Sequence, residues 1–295
     1  MSRISLIILM FCASAFCTPS KMRVGTYAIN KYTANGYKND STNLSYSIVG
    51  ADLFWKGSNI TTYCGTVNTR TINKTDTAVT YAAISRPANG KCDFFYFAGH
   101  GLFMTFANRP PTPNTYDYGL GLGKGTKFGP YGGLFSDQYP NGGNGTSTTE
   151  YTRWMYLDCC SALRSSNWST RWTPVFKGLQ VVLGYNSESW EGSDFSPYML
   201  TDFWQEWTGK TTTGAAYTPN SGIWAAHVHS VSKWIYNRGG CAIAPACIEA
   251  YVSGFQGPCY NTYAQANSYA YYPWWQLKYH WVCYGAPTYD GPGNP

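Results

Sequence analysis

Charge is scarce in this 295-residue chain. Asp, Glu, Lys and Arg together make up 12% of it, and 21 basic against 15 acidic residues leave a net charge of +6. The basic residues are scattered rather than clustered, so no footprint for a phosphate backbone is present and no nucleic-acid partner is expected. Histidine is scarcer still, at four. His227 and His229 form the one close pair, on a stretch (Ile223 to Tyr236) that reads as a helix. A spacing of two puts them on different helix faces, a poor metal arrangement, and neither a metal nor a cofactor is expected. Phosphate-binding loops are missing too. Gly119-Leu120-Gly121-Leu122-Gly123-Lys124-Gly125 lacks the sixth-position glycine of a dinucleotide turn, and Trp204 stands where Gly209-Lys210-Thr211 would need its first glycine. Past the N-terminus no apolar run nears the ~20 residues of a membrane helix, so no membrane span is expected. With no repeat, charge run or Pro-rich linker to mark a boundary, residues 18–295 read as a single domain.

What the chain does have begins with an address. Arg3, the apolar run Ile4 to Cys12 and the small residues before Cys17 follow the pattern of a secretory signal peptide over residues 1–17. The mature protein is therefore expected to be secreted or extracellular, or lumenal if retained. Six Asn-x-Ser/Thr sequons start at Asn39, Asn43, Asn59, Asn73, Asn144 and Asn167, which mark surface positions of a glycoprotein or chance in an Asn- and Thr-rich chain. Eight cysteines remain beyond the leader, and in an oxidising compartment most should pair. The vicinal Cys159 and Cys160 do not readily bridge each other and are expected to be free, with Cys159 pointing into the core. That leaves three disulfides: Cys64–Cys92 and two among Cys241, Cys247, Cys259 and Cys283. The alternative is a bridge from Cys159 or Cys160 to one of the six.

Three apolar runs organise the rest. Phe94 to Ala98, Trp154 to Leu157 and Leu179 to Tyr185 do not alternate with polar residues, as strands buried on both faces should not. Met22 to Tyr27 reads as a first strand, Leu44 to Trp55 as an amphipathic helix, Thr61 to Val67 as a second strand and Thr75 to Ser85 as a helix. Strands alternating with helices predict an α/β fold, a mainly parallel sheet with helices on both faces. The first run ends at Gly99-His100-Gly101 and the second at Asp158-Cys159-Cys160. Neighbouring parallel strands deliver their carboxyl ends to one crevice, where a histidine and a cysteine can form a base and nucleophile pair. A long Gly/Pro-rich loop at about 103–152 separates the two motifs. It reads as a flap or specificity loop, or as a hairpin covering the sheet edge.

Apolar strand-His-Gly followed by apolar strand-Asp-Cys-Cys-Ser resembles the caspase-like cysteine peptidases: caspases, metacaspases, legumains and gingipains. The metacaspase form is nearest at Asp158-Cys159-Cys160, although Ser161-Ala162-Leu163 stands where metacaspases usually carry His-Ser-Gly. The chain also resembles, over most of its length, an uncharacterised domain family with the same His-Gly and Cys layout. The resemblance implies a caspase-like sheet, Cys160 as nucleophile and His100 as its base. It makes the backbone N–H groups of Gly101 and Cys160 an oxyanion hole, and peptides or proteins the substrate. Glu188, Glu191 and Asp194 lie where relatives build the pocket for the residue before the scissile bond. There they would favour Arg or Lys, or they are solvated loop residues.

The rivals are an inactive caspase-like fold and a secreted carbohydrate-binding glycoprotein or glycosidase. Aromatic faces stack on sugars, and Trp168, Trp172, Trp190, Trp204, Trp207, Trp274 and Trp275 are available for cell-wall or polysaccharide contact. A glycosidase needs two opposed carboxylates. Asp158, Glu188, Glu191 and Asp194 are the acidic residues near the expected crevice, and nothing in the sequence pairs them.

Overall fold

The computed structural model describes residues 22–32, 43–59, 68–79, 84, 92–105, 116–121, 133–135, 152–164, 172–173, 176, 179–187, 189, 196–218, 220–236, 243–251, 257–268 and 276–282. In chain order the strands are β1 (Arg23–Ala28), β2 (Thr69–Thr75), β3 (Phe94–Ala98), β4 (Gly101–Thr105), β5 (Tyr116–Gly121), β6 (Gly133–Phe135), β7 (Trp154–Asp158), β8 (Val181–Tyr185), β9 (Pro245–Tyr251) and β10 (Gln276–Trp281). Seven of them form one sheet in the order β10-β9-β8-β7-β3-β1-β2. The five strands from β2 to β8 run parallel, while β9 is antiparallel to β8 and β10 antiparallel to β9. The fold is α/β.

The apolar runs become central strands for the reason their composition suggests. Every residue of β3 and β8 is buried, and successive side chains leave on opposite faces. Phe94 and Tyr96 of β3 join one core with Trp154 and Tyr156 of β7. Phe95 and Phe97 join the other with Met155 and Leu157. On the first face lie the helices α1 (Ser47–Ser58), α2 (Ser196–Thr208) and α3 (Ile223–Tyr236), through Phe54, Phe203, Trp204, Trp207 and Ala226. Phe54 stacks on Tyr96 with ring centroids 4.3 Å apart, and each such fully buried ring contributes about 1.5–3 kcal/mol of burial. Helical residues Ile84 and Trp172 pack with Phe176 on the opposite face.

Among the described residues many of the aromatic side chains lie in the interior. Trp172, Trp204 and Trp207 are fully buried, which removes them as sugar-stacking platforms. Trp168, Trp190, Trp274 and Trp275 lie outside the described residues.

Among the described residues the second strand is Thr69–Thr75, and the expected one at Thr61–Val67 lies outside them. β2 is a polar edge strand, half to fully exposed, so no apolar run announces it. It also occupies the start of the expected helix at Thr75 to Ser85, where residues 76–78 form a single 3-10 turn. The expected loop at 103–152 contains strands: β4, β5 and β6 make an antiparallel sheet of their own, with Gly101 opposite Leu120 and Gly119 opposite Phe135. Their glycine-rich sequences hid strands whose partners are supplied by pairing. Among the described residues no helix is long and apolar enough to cross a membrane.

Candidate active site

The sheet order places the crevice. The parallel strands follow the 2-1-3-4-5 order of a doubly wound sheet, in which the chain leaves β1 toward one edge and β3 toward the other. Ligands bind outside the carboxyl ends of the strands at such a reversal. Ala98 pairs with Asp158 as the last residues of β3 and β7. His100 and Cys160 therefore each emerge two residues past the same rung, at the edge of that crevice.

The turn that carries His100 is locked from the β1 side. The Tyr32 hydroxyl accepts the His100 backbone N–H at 2.6 Å, and its ring packs on the imidazole with centroids 4.6 Å apart. Tyr32 is held in turn by the segment just before it. One Asp76 carboxylate oxygen accepts the N–H groups of Asn30 and Lys31, both at 2.8 Å. The Asn30 side-chain oxygen accepts the N–H of Ile48 in the first turn of α1, at 3.0 Å. Both glycines flanking His100 are there because nothing larger fits. A Cβ on Gly99 would run into the Tyr32 hydroxyl, and one on Gly101 into the backbone carbonyl of Cys160. That last contact brings the two motifs together physically.

Cys160 heads a turn over residues 160–163. The turn is pinned to the end of β8: Ser161 N–H donates to Ser187 O at 2.6 Å, and Leu163 N–H to Tyr185 O at 3.1 Å. Ser161 takes φ +54°, the left-handed region that a non-glycine residue adopts at a cost of about 1–2 kcal/mol. The Cys160 thiol is partly exposed and lies 3.6 Å from the Ser189 carbonyl and 3.8 Å from its hydroxyl. Its neighbour Cys159 is fully buried, as expected, and burial pushes its thiol well above the usual range. The two adjacent cysteines are thus divided into an inert one and an accessible one. At the β7 end Tyr96 donates its hydroxyl to an Asp158 carboxylate oxygen at 2.8 Å.

Glu188, Glu191 and Asp194 lie outside the described residues, as do Cys64, Cys241 and Cys283. Among the described residues there is no disulfide: Cys247 and Cys259 are buried thiols, and Cys92 is buried with its sulfur 3.7 Å from the Thr152 hydroxyl. His227 and His229 diverge as their spacing requires. His227 is fully buried with Nε2 3.0 Å from Gly184 O, and burial drives its pKa down to about 4. His229 faces solvent and pairs with Glu206 at 2.9 Å. The sequence reading missed Tyr32, Ser161 and Ser189. Tyr32 carries no local signal, since only the β1–β3 adjacency brings it to His100.

The sequence profile of a domain of unknown function, DUF6345, matches residues 89–220, a span that takes in both motifs. No curated protein matches the chain.

Proposed function

We propose that the protein is a secreted cysteine-peptidase-like hydrolase of caspase-like architecture, in which Cys160 is the nucleophile and His100 the general base. The observation that carries this reading is the β3–β7 register, which delivers His100 and Cys160 to one crevice edge with Gly101 pressed against Cys160. A thiol is a few per cent thiolate at neutral pH and gains from a neighbouring imidazole that takes its proton. The thiolate adds to the carbonyl carbon of a peptide bond, and the amides of Gly101 and Cys160 receive the oxyanion. Protonated His100 then gives its proton to the departing amine, leaving a thioester. Water, deprotonated by His100, hydrolyses that thioester and restores the thiol. The constrained turn at Ser161 and the tight Tyr32–His100 contact support the reading, because both hold a reacting group in one orientation.

Peptide reporters ending in Arg, Lys, Asn or Asp test it. Turnover of at least one class by the parent protein and none by Cys160→Ala is the expected result. Preference for Arg or Lys supports an acidic pocket from Glu188, Glu191 and Asp194, and preference for Asp refutes that pocket. Equal turnover by parent and Cys160→Ala overturns the nucleophile.

A further inference from the structure

At the other end of the sheet, three potential metal ligands far apart in sequence converge. Glu249 lies on β9 and is fully buried. His280 lies on the neighbouring strand β10, directly opposite Cys247, with its side chain 22% exposed. Cys259 comes from a 3-10 turn (Pro258–Tyr260) and is fully buried. The His280 Nε2 is 2.8 Å from one Glu249 oxygen and 4.0 Å from the Cys259 sulfur. Cys259 also donates its backbone N–H to the second Glu249 oxygen at 3.1 Å. One donor atom from each residue lies within 4.8 Å of the other two. Cys247 stands beside them, opposite His280 in the β9–β10 pairing and two residues before Glu249 on the same strand.

The surroundings are shaped to hold these groups. Gly257 passes so close to Glu249 that a Cβ there would collide with the carboxylate. The rings of Trp224 and Tyr260 flank His280, each with its centroid 6.1 Å from the imidazole. Glu249 pairs with Val181, the first residue of β8. The cluster is therefore at the amino end of the parallel strands, away from the crevice edge of His100 and Cys160.

We infer that Glu249, Cys259 and His280, with Cys247 beside them, form a structural zinc site. Sulfur, imidazole and carboxylate together are the donor set of Zn²⁺ rather than of Ca²⁺ or Mg²⁺, which take oxygen. Tetrahedral zinc holds its ligand atoms about 3.5 Å apart, within reach of small side-chain rotations from the present spacing. On binding, Cys259 loses its thiol proton and His280 loses the proton it shares with Glu249. A thiolate and a carboxylate then offset the dication, so the buried cluster carries no net charge. The site would clamp the 3-10 turn onto the β9–β10 hairpin. This departs from the metal-free expectation drawn from His227 and His229, because the ligands meet only through strand pairing and a turn.

The test is metal content of the full secreted chain purified without chelator, for the parent, Cys160→Ala, Cys259→Ser and His280→Gln. About one zinc per chain is expected in the parent and in Cys160→Ala, with occupancy falling about tenfold or more in the other two. Because Cys160→Ala keeps the site, failure of the peptidase reading leaves this result unchanged. If the ligand variants do not fold, cobalt loaded into the parent decides, through the presence of a thiolate-to-cobalt charge-transfer band. A parent that takes up no zinc from excess, lacks that band, or carries a Cys247–Cys259 disulfide by mass mapping overturns the inference. So does zinc retained in both ligand variants.

Discussion

The two ends of the central sheet put the same pair of residue types, a cysteine and a histidine, into opposite environments. At the carboxyl end, Cys160 is partly exposed on a constrained turn, and His100 sits between two glycines just past the end of β3. Toward the amino end, Cys259 is fully buried and His280 is tied to a buried carboxylate. Burial pushes the Cys259 thiol far up, while hydrogen bonding of the imidazole to Cys259 and to the Glu249 carboxylate raises the His280 pKa to about 9. Burial also pushes Glu249 up, but hydrogen bonds from His280 and Cys259 outweigh it and hold the carboxyl below its usual range. The same side chains are thus left partly exposed by backbone geometry at one end and enclosed by packing at the other. The difference lies in the supporting residues, Tyr32 and Gly101 at one end and Glu249 and Gly257 at the other.

The largest expected effect separates the ends completely. Cys160→Ala should lower peptide turnover on the order of 10⁴-fold or more while leaving the thermal midpoint unchanged, read by reporter kinetics and calorimetry. Glu249→Ala should do the reverse, costing about 3 kcal/mol by removing one partner of a buried pair. Denaturant titration checks it, with the midpoint shifted and the slope kept. A pH series supplies a third contrast. His227 is folded with a pKa near 4 against an ordinary 6.5, so the unfolded chain binds its proton first. Its neutral form contributes fully above about pH 6.5, and that contribution, about 3 kcal/mol, is lost as pH falls from there toward 4. A flat stability profile across that window in the parent would refute the assignment.

Gly101→Ala reaches the crevice through the backbone. Its added carbon meets the Cys160 carbonyl, so the β3–β4 turn must move, at about 1–3 kcal/mol, and labelling of Cys160 should drop with it. Tyr32→Phe is the mildest change. It leaves the His100 N–H without its partner at a cost of about 1 kcal/mol, and kcat should fall while KM holds. An unchanged kcat would mean that the Tyr32 hydroxyl does not hold the His100 turn in the position catalysis uses.

How much of this was legible follows from where the information sits. β3, β7 and β8 announce themselves because each is a short apolar run buried on both faces, and α3 falls on the range Ile223–Tyr236 that its pattern predicts. The placement of Cys159 inward and Cys160 outward was legible too, from the alternation at a strand end. β2 was not, since an edge strand of Thr, Arg, Asn and Lys looks like a loop until β1 supplies its hydrogen bonds. The tryptophans misled because composition does not say which side of the surface a ring occupies, and Trp172, Trp204 and Trp207 are interior. The Glu249–Cys259–His280 cluster was invisible for the strongest reason. Its members are joined by antiparallel pairing of β9 with β10, a contact between segments whose sequence spacing carries no motif.

The central claim is that the carboxyl-end crevice activates Cys160. An electrophilic peptide probe, applied to the folded secreted protein and mapped by mass spectrometry, tests it most directly. The account predicts modification at Cys160 that disappears in His100→Ala and persists in Cys159→Ala. Modification that is unchanged in His100→Ala, or absent from a parent whose Cys160 reacts freely with a small thiol reagent, would contradict it.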